Sequence, residues 1–289
     1  MLTIFTPTYN RAYTLPRLYE SLCEQTSKDF TWLIVDDGSV DETAELIAGW
    51  NAENKISIRY YYQENQGKSA AHNKGVELTE TELFTCVDSD DYLVPVAIER
   101  IIETWISKKD AEIIGIVAQK VDIKGTSLTS YVETDSSTGR LKELYDKKKI
   151  LGDAMLVYES KKIKKYAFPK FENEKFVPEA YLYDLLDQEG VLYVITDRLY
   201  VAEYLEDGYS KSMAKTILKN ANGYIAYIIQ RLCFDKTLKE KFLDSIRYVG
   251  IALGAKKKQI IRQTPYPFIC FIAFPFGYLF YWVRYRKLR

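Results

Sequence analysis

Short apolar, β-branched runs alternate with amphipathic stretches along the first 120 residues. LTIFT at 2–6 reads as a strand, and Thr14 followed by Pro16 marks a helix running to about Glu24. TWLIV at 31–35 is a second strand. Ser39 and Glu42 stand at capping-box spacing and predict a helix to about Trp50. SIRYYYQ at 57–63 is a third strand, and Gly67 opens a helix through Leu78. LFTCV at 83–87 is a fourth, Pro95 starts a helix to about Ser107, and EIIGIVAQ at 112–119 is a fifth. This alternation predicts an α/β fold, a Rossmann-like, mainly parallel sheet flanked by helices. Ligands of such sheets sit outside the carboxyl ends of the strands. TPTYN, DDGS and DSDD all fall at those ends, so three polar clusters are expected to meet in one crevice.

Residues 121–215 are less regular and predict loops, a few strands and one helix starting near Pro178. From Thr216 onward the pattern is helical, which divides the chain at 1–120, 121–215 and 216–289. PYPFICFIAFPFGYLFYWV at 265–283 carries no charge and lies between KKK at 256–258 and RYRKLR at the end. Its length qualifies it as a candidate membrane span. Pro275 and Gly277 interrupt its middle, and a single span would place RYRKLR outside, against the positive-inside tendency. A re-entrant or interfacial segment is therefore expected. It would keep both basic clusters on the cytosolic face, each basic residue gaining ~1 kcal/mol from anionic lipid.

The composition, 47% hydrophobic and 28% charged, is globular and excludes disorder or a collagen-like chain. Lys plus Arg and Asp plus Glu are both 40, so no nucleic-acid partner is expected. The balance hides a split. Residues 219–289 hold 14 basic against 3 acidic residues, leaving an acidic body with a basic tail. Cys23, Cys86, Cys233 and Cys270 show no metal-site spacing, which favours free thiols in a reducing cytosol. MLTIFTPTYNR runs straight into a strand without a leader pattern, so the body is expected in the cytoplasm. The helices between 216 and 255 could pair between chains as a homodimer.

Three carboxylates in the four residues of DSDD (Asp88, Ser89, Asp90, Asp91) repel one another unless a cation compensates. Mg²⁺ and Mn²⁺ bind through one or two carboxylates plus substrate phosphates, so the cluster reads as a metal–diphosphate clamp or, more plainly, as a solvated acidic turn. Asp36 and Asp37 could accept hydrogen bonds from a nucleobase or ribose, while Ser39 caps the following helix. Tyr9 offers a stacking face, and Lys68 lies at a helix N-terminus, where anions are favoured. His72, among alanines on that helix, reads as a packed or surface residue.

TPTYNR, IVDDGSVDET, ENQGKSAAHNKG and CVDSDDYLVP, in this order and spacing, resemble family 2 glycosyltransferases, which have the GT-A fold. The resemblance is strong over 1–120 and continues more weakly to EYLEDGYS at 203–210, a stretch similar to capsule and cell-wall members. It implies a nucleotide-sugar half at 1–120, an acceptor half at 121–215 and a membrane-associating extension at 216–289. It implies inverting transfer from a nucleotide sugar, usually a UDP-sugar, with Mn²⁺ or Mg²⁺. By motif position Thr6, Pro7 and Tyr9 resemble nucleoside contacts, Asp37 the uracil contact and Asp36 its neighbour. Lys68, Asp88, Ser89 and Asp90 resemble donor contacts, and Asp90 and Asp91 metal contacts. His72 stands where many relatives have Arg.

Inverting transfer needs a general base on the acceptor hydroxyl. In ENEKFVPEAYLYDLL, Pro178 can begin a helix with Glu179 in its first turn, as relatives place their base; Asp184 and Glu174 are its rivals. The acceptor implied is a polyprenyl-diphosphate glycan at the cytoplasmic face of the membrane, reached through residues 256–289. A sugar nucleotidyltransferase would want a glycine-rich basic loop after the first strand, where TPTYNRAYT has one Arg and no Gly. A silent membrane-docked scaffold on the same fold would have no need of DSDD or Glu179.

Overall fold

All seven residues of the first strand are buried, as a strand covered on both faces by crossover helices requires. In this computed structural model, which describes residues 1–131, 138–147, 150–203, 213–234 and 237–288, the elements follow in regular order. They are β1 (Leu2–Thr8), α1 (Leu15–Cys23), β2 (Phe30–Asp36), α2 (Thr43–Glu53), β3 (Ile58–Tyr62), α3 (Lys68–Leu78), β4 (Leu83–Cys86), β5 (Tyr92–Leu93), α4 (Ala97–Lys108) and β6 (Ile113–Asp122). Then come β7 (Thr129–Tyr131), β8 (Thr138–Gly139), α5 (Leu141–Asp146), β9 (Ile150–Gly152), β10 (Ala154–Glu159), α6 (Ser160–Ile163), α7 (Ala180–Leu186) and β11 (Val191–Ala202). The remainder is helical: α8 (Met213–Lys219), α9 (Ala221–Phe234), α10 (Leu238–Gly254) and α11 (Pro267–Arg284).

Two compact units emerge, Met1–Ala167 with Leu182–Leu205, and Phe168–Tyr181 with Glu206–Arg289. These limits differ from the boundaries at 120 and 215. Strands β10 and β11 join the same sheet as β1, while 168–181 belongs with the C-terminal helices.

The sheet of the first unit has the order β3-β2-β1-β4-β10-β6-β11-β5, with β8 on β11. Strands β1 to β4 are parallel, as the alternation predicts. The strand expected next in line, β6, is displaced by β10, which runs antiparallel to both β4 and β6. Val157 pairs with Thr85 on one side and Ile116 on the other, and the Thr85 hydroxyl donates to the Leu156 carbonyl (2.8 Å). Leu18 and Leu22 of α1 and Ile98 and Ile101 of α4 pack with Ile4, Ile34 and Ile116 of the sheet, each buried side chain contributing roughly 1.5–3 kcal/mol. His72 is buried edge-on between Phe5 and Phe84, a packed residue.

Helix starts follow the sequence signals with one correction. α1 has Pro16 in its first turn, and α3 follows Gly67, whose φ of +93° suits glycine. Ser39 does not cap α2. Its N–H donates to Asp36 Oδ1 (2.7 Å) and its hydroxyl accepts from Asn10 N–H (2.8 Å), so the residue ties two loops together. Glu42 is the N-cap residue and makes no side-chain cap bond, while Asp41 before it accepts from the Thr43 N–H (3.2 Å) and hydroxyl (2.6 Å).

In the second unit α10 packs on both α9 and α11. Asp244, buried on α10, accepts from Arg231 Nε (2.7 Å) and also pairs with Arg247. Glu174 accepts from the N–H groups of Asn222 (2.9 Å) and Gly223 (2.8 Å) and so caps α9. α11 runs unbroken through Pro275 and Gly277, contrary to the expected interruption. Gly277 is there for close packing, since a Cβ at that position would come within 2.5 Å of Val249. The helix is long and apolar enough to cross a membrane. Cys23, Cys86, Cys233 and Cys270 form no disulfide among the described residues.

Candidate active site

Because β2, β1 and β4 are adjacent and parallel, their carboxyl ends lie along one edge of the sheet. TPTYN, DDGS and DSDD therefore meet there, as their positions in the chain predict. The loops are laced together. Asp37 N–H donates to the Thr8 carbonyl (2.8 Å), Val40 N–H to Asn10 Oδ1 (2.9 Å), and Ala12 N–H to Asp41 Oδ2 (3.0 Å).

The DDGS carboxylates face inward. Asp36 Oδ1 accepts from Ser39 N–H, and Oδ2 from the Tyr60 hydroxyl (2.7 Å). Burial, then that hydrogen bond, raises the Tyr60 phenol well above its ordinary pKa. Asp37 Oδ1 accepts from Gln63 Nε2 (2.7 Å) and Gln66 N–H (2.9 Å), and Oδ2 from Gly67 N–H (2.7 Å). Three of its four lone-pair sites are thus used on the turn before α3. Gly38 permits this turn with φ of +89°.

Along β1, Thr6 is completely buried and its hydroxyl accepts from the Trp32 indole (3.0 Å), while Pro7 is buried beside it. Neither offers surface to a nucleoside. Both, like the buried Asp36, form the floor of the edge. Tyr9 is 49% exposed and leaves its ring available.

The DSDD turn is built differently. One oxygen each from Asp88, Asp90 and Asp91 lies within 4.8 Å of the others. Lys68 Nζ, from the first residue of α3, pairs with Asp88 Oδ1 at 2.7 Å. Burial would raise the Asp88 carboxyl, but Lys68 and Lys120 outweigh it and hold it below the usual carboxylate value. Asp90 is raised by burial and then by the Asp88 charge. The same two causes, in the same order, push Asp91 up to about 6. Ser89 is buried between them.

Of the residues that fasten this turn, Tyr200, Lys120 and Arg17 lie outside the motifs, and Glu203 opens EYLEDGYS. β5 follows DSDD directly and pairs with β11, Leu93 opposite Tyr200, which carries Tyr200 under the cluster. Its buried hydroxyl accepts from Asp88 N–H (3.1 Å) and donates to Asp91 Oδ2 (2.6 Å). The Lys120 ammonium lies 4.0 Å from the Tyr200 ring centroid. Arg17 lies over the Tyr92 ring, donates to the Asp90 carbonyl and pairs with Glu203, whose N–H donates to Asp91 Oδ1 (2.9 Å). Tyr200 is one of 24 tyrosines, and no local signal separates it from the rest.

Glu179 belongs to the second unit. It is exposed, directly precedes α7, and lies within a turn in which Tyr181 N–H donates to the Pro178 carbonyl (2.9 Å). Its rival Glu174 is committed to the α9 cap. EYLEDGYS lies outside the described residues except for Glu203.

The profile described as Glycosyl transferase family 2 matches residues 3–167. The chain belongs to that family. Among curated relatives, this family 2 chain is 30% identical over 115 residues to glycosyltransferase GlyG of Streptococcus pneumoniae, matching 39% of its own length and 38% of the relative's. It thus spans well under half the length of such relatives. Its fold matches that of S. aureus TarS 1–349 in complex with UDP-GlcNAc, with a TM-score of 0.63, 16% identity, and coverage of 99% of this chain and 91% of that one. It also matches mannosyltransferase PcManGT of Pyrobaculum calidifontis in complex with GDP-Man and Mn²⁺, with a TM-score of 0.56, 14% identity, and coverage of 96% and 73%. The family 2 chain therefore has the GT-A fold.

Proposed function

We propose that this chain transfers a sugar, with inversion, from a nucleotide-diphosphate donor to a hydroxyl of a lipid-linked glycan in surface polysaccharide synthesis. The observation that carries the reading is the DSDD turn, three carboxylates crowded at the carboxyl edge of a parallel sheet with Lys68 beside them. Burial, then the Asp88 charge, raises Asp90 and Asp91, a cation would relieve both, and an all-oxygen donor set suits Mn²⁺ or Mg²⁺. Asp88, Asp90 and Asp91 would hold it. When bound, the ion supplies positive charge to the departing diphosphate. Lys68 adds a second positive charge at the start of α3. Tyr9 stacks on the base, and the remaining lone pair of Asp37 accepts from it. Glu179 takes the proton of the attacking hydroxyl. A UDP donor is favoured by the likeness to a UDP-GlcNAc-binding fold. On this reading α11 and the basic residues of 256–289 keep the enzyme at the cytoplasmic face of a membrane, where a polyprenyl-diphosphate glycan would be presented.

A thermal-shift comparison of UDP, dTDP, GDP and CDP, each with Mn²⁺ and with EDTA, tests the donor site. A ligand at ~100 times its dissociation constant adds ~2.7 kcal/mol of stability. A UDP shift lost in EDTA is expected, and no shift with any nucleotide would overturn the reading. Glu179→Gln should abolish turnover and keep the UDP shift; retained activity would remove Glu179 from the mechanism.

A further inference from the structure

Helix α11 has two unlike sides. One is a seam against α10, where Cys270, Ala273 and Gly277 are buried. A Cβ at Gly250 of α10 would come within 2.5 Å of the Phe280 ring, so the two helices are in close contact. The other side exposes Phe268, Phe271, Ile272, Phe276, Leu279 and Trp282, and no charged residue lies between Arg262 and Arg284. An exposed apolar face of this extent marks a binding surface.

Charge identifies the occupant. From Ser245 to Arg289 there are nine Lys and Arg residues and no Asp or Glu. Exposed Lys256, Lys258 and Arg262 precede α11, and exposed Arg284, Arg286 and Lys287 follow it. The Arg286 guanidinium lies 5.4 Å from the Trp282 ring centroid. Both ends of the apolar face are therefore basic. A second copy would bring the same positive ends against them, whereas an anionic lipid surface complements both.

The neighbouring helix decides how α11 meets that surface. Lys241 Nζ bonds the Tyr266 hydroxyl (2.9 Å) at the start of α11, and Gly254 of α10 packs beside Tyr285 at its end. α10 thus runs alongside α11. It carries Asp244, whose carboxylate is held between Arg231 and Arg247. If α11 crossed the bilayer, this charged group would enter the hydrocarbon with it, where ionised side chains are strongly disfavoured.

We propose that α11 lies in the plane of an anionic bilayer, its exposed side in the acyl boundary and α10 on its water side, so that the chain docks on one leaflet without crossing it. Interfacial helices set an apolar side in lipid and a charged side in water; here α10 and the basic residues flanking α11 supply the charged side. The inference is independent of the transfer reaction, and its test reads no activity.

The test is sedimentation of the full chain with vesicles of phosphatidylcholine alone or mixed with phosphatidylglycerol. Binding is expected to be at least about tenfold tighter on the anionic vesicles and to weaken in high salt. The double variant Phe271→Ser, Leu279→Ser should bind at least about tenfold more weakly, and Lys258→Glu, Arg262→Glu should lose the anionic preference, both with unchanged melting temperature. Alkaline carbonate should strip the bound protein from cell membranes. Resistance to that wash would mean a crossing helix and overturn the proposal. So would equal binding to neutral and anionic vesicles. Absence of vesicle binding, with the Phe271→Ser, Leu279→Ser variant converting a dimer to a monomer, would assign the face to a second copy.

Discussion

The two acidic turns at the sheet edge start from nearly the same sequence and end in opposite physical states. Asp36 and Asp37 follow β2, and Asp88, Asp90 and Asp91 follow β4. The first pair has found donors. Five hydrogen bonds from Ser39, Tyr60, Gln63, Gln66 and Gly67 satisfy its oxygens within the fold. The second group sets three carboxylates beside one lysine, and burial, then the Asp88 charge, raises Asp90 and Asp91. A buried carboxylate satisfied by N–H groups is a scaffold. One left in the company of other carboxylates is a group that a cation would stabilise in its charged form.

Substitutions can break this contrast. Asp90→Asn should lower kcat/KM by roughly 10²–10³ while leaving the melting temperature equal or higher, because it relieves repulsion. Loss of stability in that variant would make the cluster structural. Asp37→Ala should cost roughly 2–3 kcal/mol in denaturant unfolding as well as weakening nucleotide binding, because two backbone N–H groups and the Gln63 amide lose their acceptor. An unfolding midpoint that does not move would mean the turn is held by something else. Tyr200→Phe removes the hydroxyl linking Asp91 to the Asp88 backbone, and Mn²⁺ affinity measured by titration should fall about tenfold. Unchanged affinity would reduce Tyr200 to a core residue.

The smallest effect is on pH. Asp91 keeps its proton to about 6, above its unfolded value of 3.8, so its ionisation costs the fold stability as pH rises through that interval. A metal ion would offset that cost only once the carboxylates are charged. The rise in melting temperature caused by Mn²⁺ should therefore be larger at about pH 7 than at about pH 5. An effect that is equal at both would mean other ligands.

Much of the first unit could be read from local pattern. Pro16 and Gly67 mark real helix starts, and the three motifs reach one edge because parallel neighbours align their ends. What escaped was set by partners distant in sequence. Ser39 and Glu42 have capping-box spacing, but Asp36 captures the Ser39 N–H first. Thr6 sits in the motif yet is sealed by Trp32 from the next strand. Tyr200 reaches Asp91 across 109 positions, through a strand pairing that no local spacing encodes. Glu174, a rival of Glu179 in the sequence, is bound by N–H groups at the start of α9, a partner 48 positions away.

Strand β10 has a consequence for how the chain comes to be folded. β4 pairs on one side with β1, and its other edge is closed only by residues 157–159. During synthesis at ~5–20 residues per second, those partners emerge several seconds after β4 itself. For that interval the half-built sheet presents open backbone donors and acceptors at its most apolar edge, a template for another chain. Closure across so many intervening residues also slows the productive reaction. The geometry that joins the two halves of the sheet thus makes the nascent chain dependent on low concentration, or on a chaperone, until residue 159 is available.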